Sequence, residues 1–259
     1  MTPKPILLLL LALLPFGFLF AQFSTEFSED EGYFDGDLTS NPNWAGSPDD
    51  FMVDTGGDGS MKIDPYESFR QIRYVGEGGV LTQTNIKVTM VFQVNFDVGE
   101  SADVGEGAVT LGLIQIQNVA ARGEFAGAAL RQTSGAGPGT FNFFVVNKLI
   151  GENSADFCPM FRAADLGLAY DKSDGNWTDG ESDPLELVHE LNYGGDGWSE
   201  KASLTNRESG ILLGMAEQVT ADPGDSFLDN IKEFQINSGV ISENPVTVSV
   251  DSLKVEVSK

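Results

Sequence analysis

From residue 50 onward, short apolar runs alternate with clusters of Gly, Asp, Asn and Pro. The longest regular stretch, TNIKVTMVFQVNFDV, repeats an apolar residue at every second position: Ile86, Val88, Met90, Phe92, Val94 and Phe96. Successive strand side chains point to opposite faces, so this pattern predicts a long, half-buried strand. Its other face (Lys87, Thr89, Val91, Gln93, Asn95) is mostly polar. PLELVHELN repeats the device, with Leu185, Leu187, His189 and Leu191 on one face and Glu186, Val188 and Glu190 on the other. DFMVDT and SMKIDP, joined through GGDGS, read as a hairpin. FRQIRYV, AVTLGLIQIQN, AGAALRQT, TFNFFVVN, NIKEFQIN and VTVSVDSLKVEV add further strands, and WSEKASLTN and SGILLGM flank a turn at Arg207-Glu208. About a dozen strands are predicted, with Gly-rich turns and no amphipathic helix of ordinary length, which indicates an all-β sandwich or barrel. DSFLDNIKEF is expected to hold a helical turn or two, capped by Asp225 or Ser226. Residues 148–183 lack alternation, and a connection of that length is usually functional or carries structure of its own.

The first residues change the picture. MTPKPILLLLLALLPFGFLFAQ has a basic start and an apolar run from Ile6 to Phe20, interrupted by Pro15 and Gly17. The run is shorter than the roughly 20 residues that span a bilayer, and Ala21 offers a cleavage point. Residues 1–21 are therefore read as a signal peptide and 22–259 as a single domain that is secreted, extracellular or periplasmic, with no membrane anchor after cleavage. The chain carries 39 acidic and 15 basic residues, a formal charge of −24. Such a field repels phosphate backbones, so no nucleic acid is expected as a partner. One cysteine, Cys158, rules out an intramolecular disulfide, and its apolar neighbours mark it as a buried thiol. One histidine, His189, excludes sites that need two imidazoles.

Residues 170–183, YDKSDGNWTDGESD, hold the densest candidate chemistry. Asp171, Asp174 and Asp179, with Glu181 and Asp183, supply the hard oxygens that calcium prefers, and Gly175 and Gly180 permit tight turns. The spacing is not that of an EF-hand, and a solvated acidic loop is the competing reading. Trp177 is the candidate platform for stacking on a sugar face, assisted by Tyr170 and Asn176. Catalytic patterns are weaker. Glu100, Asp103 and Glu106 lie in a Gly-rich turn and share no strand face. Glu186 and Glu190 do share one, but four residues of strand put them roughly 13 Å apart, beyond what paired-carboxylate hydrolysis uses. His189 is a candidate lyase base with Arg70, Arg73 or Arg131 as the neutralising cation, yet it sits between leucines on the apolar face.

EFSEDEGYFDGDLTSNPNWAGSPDDFMVD resembles the opening of secreted bacterial concanavalin A-like (LamG-type) jelly-roll modules. VTVSVDSLKVEV resembles their closing strand, and LELVHELNYGGDGWSEKASLTN the strand–turn–strand before it. The resemblance implies a two-sheet antiparallel jelly-roll sandwich, frequent carbohydrate binding and a structural calcium that clips the chain ends through Glu26 and Asp251. It also implies that Trp44 and Trp198 plug the sandwich. The expectation is a secreted protein that binds an extracellular polysaccharide or other glycan. A polysaccharide lyase or glycoside hydrolase of the same fold is the alternative, and a structural or adhesive surface protein the second.

Overall fold

The computed structural model describes residues 20–47, 50–57, 59–64, 70–81, 84–96, 110–120, 125–132, 140–148, 154–168, 170–171, 176–177, 180–195, 197–221, 232–238 and 246–258. Among them the first strands are β1 (Phe20–Thr25), β2 (Gly36–Asp37), β3 (Trp44–Gly46), β4 (Phe51–Asp54), β5 (Ser60–Ile63), β6 (Gln71–Tyr74), β7 (Val80–Leu81) and β8 (Asn85–Phe96). Next come β9 (Thr110–Asn118), β10 (Phe125–Gln132), β11 (Thr140–Asn147), β12 (Ser154–Phe157) and β13 (Phe161–Arg162). The short β14 (Tyr170–Asp171), β15 (Asn176–Trp177) and β16 (Gly180–Glu181) follow. The last are β17 (Leu185–Tyr193), β18 (Gly197–Asn206), β19 (Leu212–Ala221), β20 (Lys232–Asn237) and β21 (Val246–Ser258).

Two antiparallel sheets form the sandwich. Sheet A runs β19-β18-β17-β8-β21-β5-β4-β2, with β1 on β21 and β16 on β8; sheet B runs β12-β11-β10-β9-β20-β6-β3, with β13 on β11 and β7 on β20. This is the all-β sandwich the pattern predicts and the two-sheet jelly roll the resemblance implies. The long alternating strand β8 lies between β17 and β21, and its ladder with the closing strand runs from Phe96↔Val246 to Asn85↔Ser258. Cleavage after Ala21 would leave Phe23–Thr25 of β1 still paired with β21.

Alternation sorts the two faces. Val88, Met90, Phe92 and Val94 of β8 and Val248, Val250, Leu253 and Val255 of β21 are buried in the core with Ile116, Phe143, Phe234 and Ile236 of sheet B. Each such side chain contributes about 1.5–3 kcal/mol on burial. Two bulges adjust the phase. One leaves Asp251 unpaired in the β8–β21 ladder; the other lets Leu113 and Ile114 of β9 both enter the core, so Gly112 and Gln115 share the outer side. Trp44 and Trp198 are buried as expected of plugs, and Trp44 Nε1 donates to Tyr33 Oη at 3.0 Å.

The structure departs from the expectation in three places. The described residues hold 21 strands, because two-residue pairings are too short to show a period. Lys232–Asn237 is strand throughout, so the helix expected over DSFLDNIKEF does not extend into it; residues 225–231 lie outside the described residues. Residues 148–183 also feed the core: a 3₁₀ turn, Ala163–Leu166, delivers Leu166, and Phe161 and Leu168 are buried with it. That segment is tied down where Asn206 Nδ2 donates to Asp183 Oδ2 at 2.7 Å and to the Asp165 carbonyl at 3.1 Å.

His189 and Glu200 form a polar contact inside the sandwich. His189 Nε2 lies 2.7 Å from Glu200 Oε1, and Asn147 Nδ2 of the opposite sheet donates to Glu200 Oε2 at 3.3 Å. Burial pushes the Glu200 carboxyl above the usual glutamate range, opposed by His189, Asn147 and the Gly127 backbone. Among the described residues His189 Nδ1 has no hydrogen-bond partner. Removing one partner of such a pair strands the other, so Glu200→Ala should cost about 3–5 kcal/mol in denaturant unfolding. The native state holds a proton on Glu200 where the unfolded chain has lost it. That stabilisation is present below the ordinary glutamate range and lost as pH rises through the raised native value. Glu200→Gln, neutral at every pH, should flatten this part of the stability–pH curve; an unchanged slope would assign it to other groups.

At the edge where the sheets meet, Cys158 packs on Gly214, and burial pushes its thiol up. A Cβ on Gly214 would stand 2.5 Å from Cys158 Sγ. Gly214→Ala should therefore destabilise by about 1–3 kcal/mol. Cys158→Ala should recover part of that loss in a double-mutant cycle; strict additivity would mean that the two sites do not touch.

Candidate functional site

The residues singled out from sequence do not converge. His189 points into the core and is 0% exposed, whereas Glu186 and Glu190 lie on the opposite, solvent side of β17. Glu190 pairs there with Lys87 at 3.4 Å. His189 and the two glutamates therefore do not line one groove, because period two places the imidazole and these carboxylates on different faces.

The two acids expected to clip the chain ends sit in different surroundings. Glu26 is exposed and its backbone N–H donates to Glu31 Oε2 at 2.8 Å. Asp251 is half-buried; burial raises its carboxyl, the Glu181 charge adds to this and Arg207 opposes it. Among the described residues no three His, Cys, Asp or Glu side chains converge as metal ligands. Calcium prefers six to eight oxygens, of which these two carboxylates can supply at most four, so a clip there would need further ligands. In the acidic loop the backbone pairs Tyr170↔Trp177 and Asp171↔Asn176 across β14 and β15, strands the sequence reading did not foresee. The side chains of Tyr170, Asp171, Asn176 and Trp177, and the whole of Asp174 and Asp179, lie outside the described residues.

A different constellation occupies the outer face of sheet B. The core phase of its strands is taken by Ile72, Ile114, Ile116, Ala128, Leu130, Phe141, Phe143, Phe234 and Ile236. Their strand neighbours therefore face outward. On β9 these are Gln115 and Gln117, on β20 Glu233, Gln235 and Asn237, on β6 Gln71 and Arg73. On β10 they are Ala129 and Arg131, on β11 Asn142 and Phe144. Outward amides normally meet water, yet Gln115, Gln117, Asn142, Gln235 and Asn237 are only 4–8% exposed. On the outer face of sheet A, by contrast, Val219 is 72% exposed. The outer face of sheet B is recessed.

Its polar groups are partly cross-linked. Asn237 Nδ2 donates to Gln115 Oε1 at 2.9 Å, and Gln235 Nε2 donates to Gln117 Oε1 and, at 3.1 Å, to Glu233 Oε1. Arg73 Nη1 lies 3.7 Å from Glu233 Oε1. Four buried atoms, Gln235 Oε1, Asn237 Oδ1, Asn142 Oδ1 and Arg131 Nε, have no hydrogen-bond partner among the described residues. A cleft of about 480 Å³ opens over one half of the face, lined by Gln71, Arg73, Gln117, Glu233 and Gln235. Toward the other half Phe144 stacks on Phe157, with ring centroids 4.9 Å apart, and Phe157 is 46% exposed. Small residues Gly112, Gly127 and Ala129 lie between.

Such a face presents amide donors and acceptors, two arginines, one carboxylate among its described residues and an aromatic flank, around a floor of small side chains. It is equipped to hydrogen-bond a polyhydroxylated ligand and stack on its apolar side. Of the sequence candidates, Arg73 and Arg131 lie here; the amides were missed. Their signal was present as Gln-Ile-Gln in β9 and Gln-Ile-Asn in β20, two neighbouring strands with amides in the same phase.

No protein-family model matches the chain, and no curated protein sequence matches it. Solved structures match its fold. An endo-1,3-β-glucanase from Streptomyces sioyaensis aligns over 100% of both chains, with a TM-score of 0.55 and 10% identity. Peanut lectin in complex with a nine-residue peptide aligns over 86% of this chain and 94% of its own, with a TM-score of 0.51 and 11% identity. At such identity the likeness speaks for architecture alone: the chain has the concanavalin A-like jelly-roll fold that these lectin and glucanase structures share.

Proposed function

We propose that this protein binds a glycan across the outer face of sheet B. The observation that carries the reading is the set of five amide side chains withdrawn from water on an outward face, three of them with an oxygen unpaired among the described residues. A buried amide oxygen without a donor costs about 1–3 kcal/mol, which a sugar hydroxyl would offset by donating to it. Phe144 and Phe157 supply the apolar surface against which a pyranose face packs. Calcium is assigned to the acidic 171–183 loop, with the Glu26 and Asp251 clip as the second candidate, and melting curves should be compared with and without chelator. Export rests on the apolar leader, and the mature N-terminus is expected at Gln22.

A second reading, glycan cleavage in the same groove, is favoured by one observation: Glu233 sits in the cleft beside Arg73 and Gln235. It predicts release of reducing sugar or unsaturated product that Glu233→Gln abolishes. Without such release from any retained polymer, the protein is a binder.

Affinity electrophoresis against a panel of plant and algal polysaccharides, β-1,3-glucan among them, identifies the retained polymer. Gln115→Ala and Gln235→Ala should each weaken that binding by about 0.5–1.5 kcal/mol. Phe157→Ala should do so by a similar amount, about 0.5–1.5 kcal/mol, with little change in melting temperature, because the ring is half in solvent. Glu190→Ala on sheet A should leave binding unchanged. Full affinity in all three sheet B variants would move the site elsewhere on the molecule.

A further inference from the structure

The sheet B face has a distinct charged end. Arg131 of β10 and Asn142 of β11 stand directly opposite each other in the ladder, one pleat beyond Ala129 and Phe144. Arg131 Nε and Asn142 Oδ1 are both shut off from water, and neither has a hydrogen-bond partner among the described residues. One is a donor and the other an acceptor, adjacent but not joined. Among the described residues four cations pair with acids: Lys62 with Asp64, Arg73 with Glu233, Lys87 with Glu190 and Lys254 with Glu256. Arg131, with its Nε shut off from water on a recessed face, has no carboxylate partner among the described residues even in a chain of net charge −24.

We propose that Arg131 and Asn142 form a subsite for an acidic sugar, the arginine taking a carboxylate or sulfate oxygen and the asparagine oxygen accepting from a neighbouring hydroxyl. This rests on the glycan-binding reading above. The chemistry matches on both sides. Guanidinium is always charged and its planar fork suits two-oxygen anions, while a neutral hydroxyl would leave the charge uncompensated. The acceptor beside it needs a donor, which an anionic group lacks and the adjoining ring hydroxyl supplies. Long-range repulsion by the acidic chain opposes any polyanion, so selectivity for one has to come from this local contact.

The test uses native affinity electrophoresis of the full chain in gels containing alginate or polygalacturonate, a sulfated galactan, or the neutral polymers laminarin, xylan and hydroxyethylcellulose. Retardation by an acidic polymer is expected, with Arg131→Gln weakening it about ten- to a hundredfold. Asn142→Asp provides a second probe: its carboxylate would pair with Arg131, keep the face intact and repel the ligand anion, with a loss of similar size. Melting curves confirm that each variant folds. Retardation by the uronate gels alone identifies a carboxylate, and by the sulfated gel alone a sulfate. Retardation only by neutral polymers, or acidic-polymer binding unchanged in the folded variants, overturns the acidic subsite while leaving the glycan reading in place. No retardation in any gel overturns both.

Discussion

The ladder between β8 and β21 is the interaction on which the rest of the sandwich is built. It joins residues 85–96 to the closing strand 246–258, so strands far apart in the chain pair at the centre of sheet A. β21 carries the N-terminal strand β1 on the same seam, and β8 carries β17, through which β18 and β19 attach. Their inward side chains, Met90, Phe92, Val250 and Leu253 among them, are the surface on which sheet B packs. Such pairing is costly in chain entropy until it is complete, so the sandwich is expected to form cooperatively rather than strand by strand.

With one face of sheet B committed to that core, its other face is free to be chemically specialised. It carries amides, two arginines and an aromatic pair where sheet A carries threonines, serines and exposed ion pairs. The difference is energetic as well as compositional. An exposed polar side chain costs nothing to leave unpaired, whereas Gln235, Asn237 and Asn142 hold buried oxygens that no described residue satisfies. A ligand rich in hydroxyls offsets this directly. The buried His189–Glu200 contact is a separate matter: it lies between the sheets, bonded to Asn147, and does not face the groove.

Much of the fold was legible because burial of one strand face writes a period of two. β8, β17 and β18 are read almost residue by residue, and the hairpin of β4 and β5 is marked by its Gly-rich turn. Pairings of two residues, such as β14 with β15, fall below any periodic signal. The core around Leu166 was hidden because a 3₁₀ turn, not a strand, delivers it. An acid at an apolar position of β18, in the series Trp198, Glu200, Ala202, Leu204, was the visible mark of the buried pair, and His189 in the apolar phase of β17 was its partner. For the groove, the amide phase of β9 and β20 was in the sequence, but its recession was not. Withdrawal from water depends on what the folded molecule places over the face, which no single strand encodes. The terminal calcium clip came from resemblance alone, because no strand period or spacing in the sequence pairs Glu26 with Asp251.

The central claim, that ligand meets the amide face of sheet B, is most directly tested by nuclear magnetic resonance. The ¹⁵N-labelled protein would be titrated with laminari-, xylo-, oligogalacturonate and oligomannuronate oligosaccharides while the side-chain NH₂ resonances are followed. The account predicts saturable shifts at Gln115, Gln117, Gln235, Asn237 and Asn142 with one of these ligands. Gln93 and Asn192, on the outer side of sheet A, should not move. Shifts confined to sheet A, or saturable binding that leaves the sheet B amides unperturbed, would contradict it.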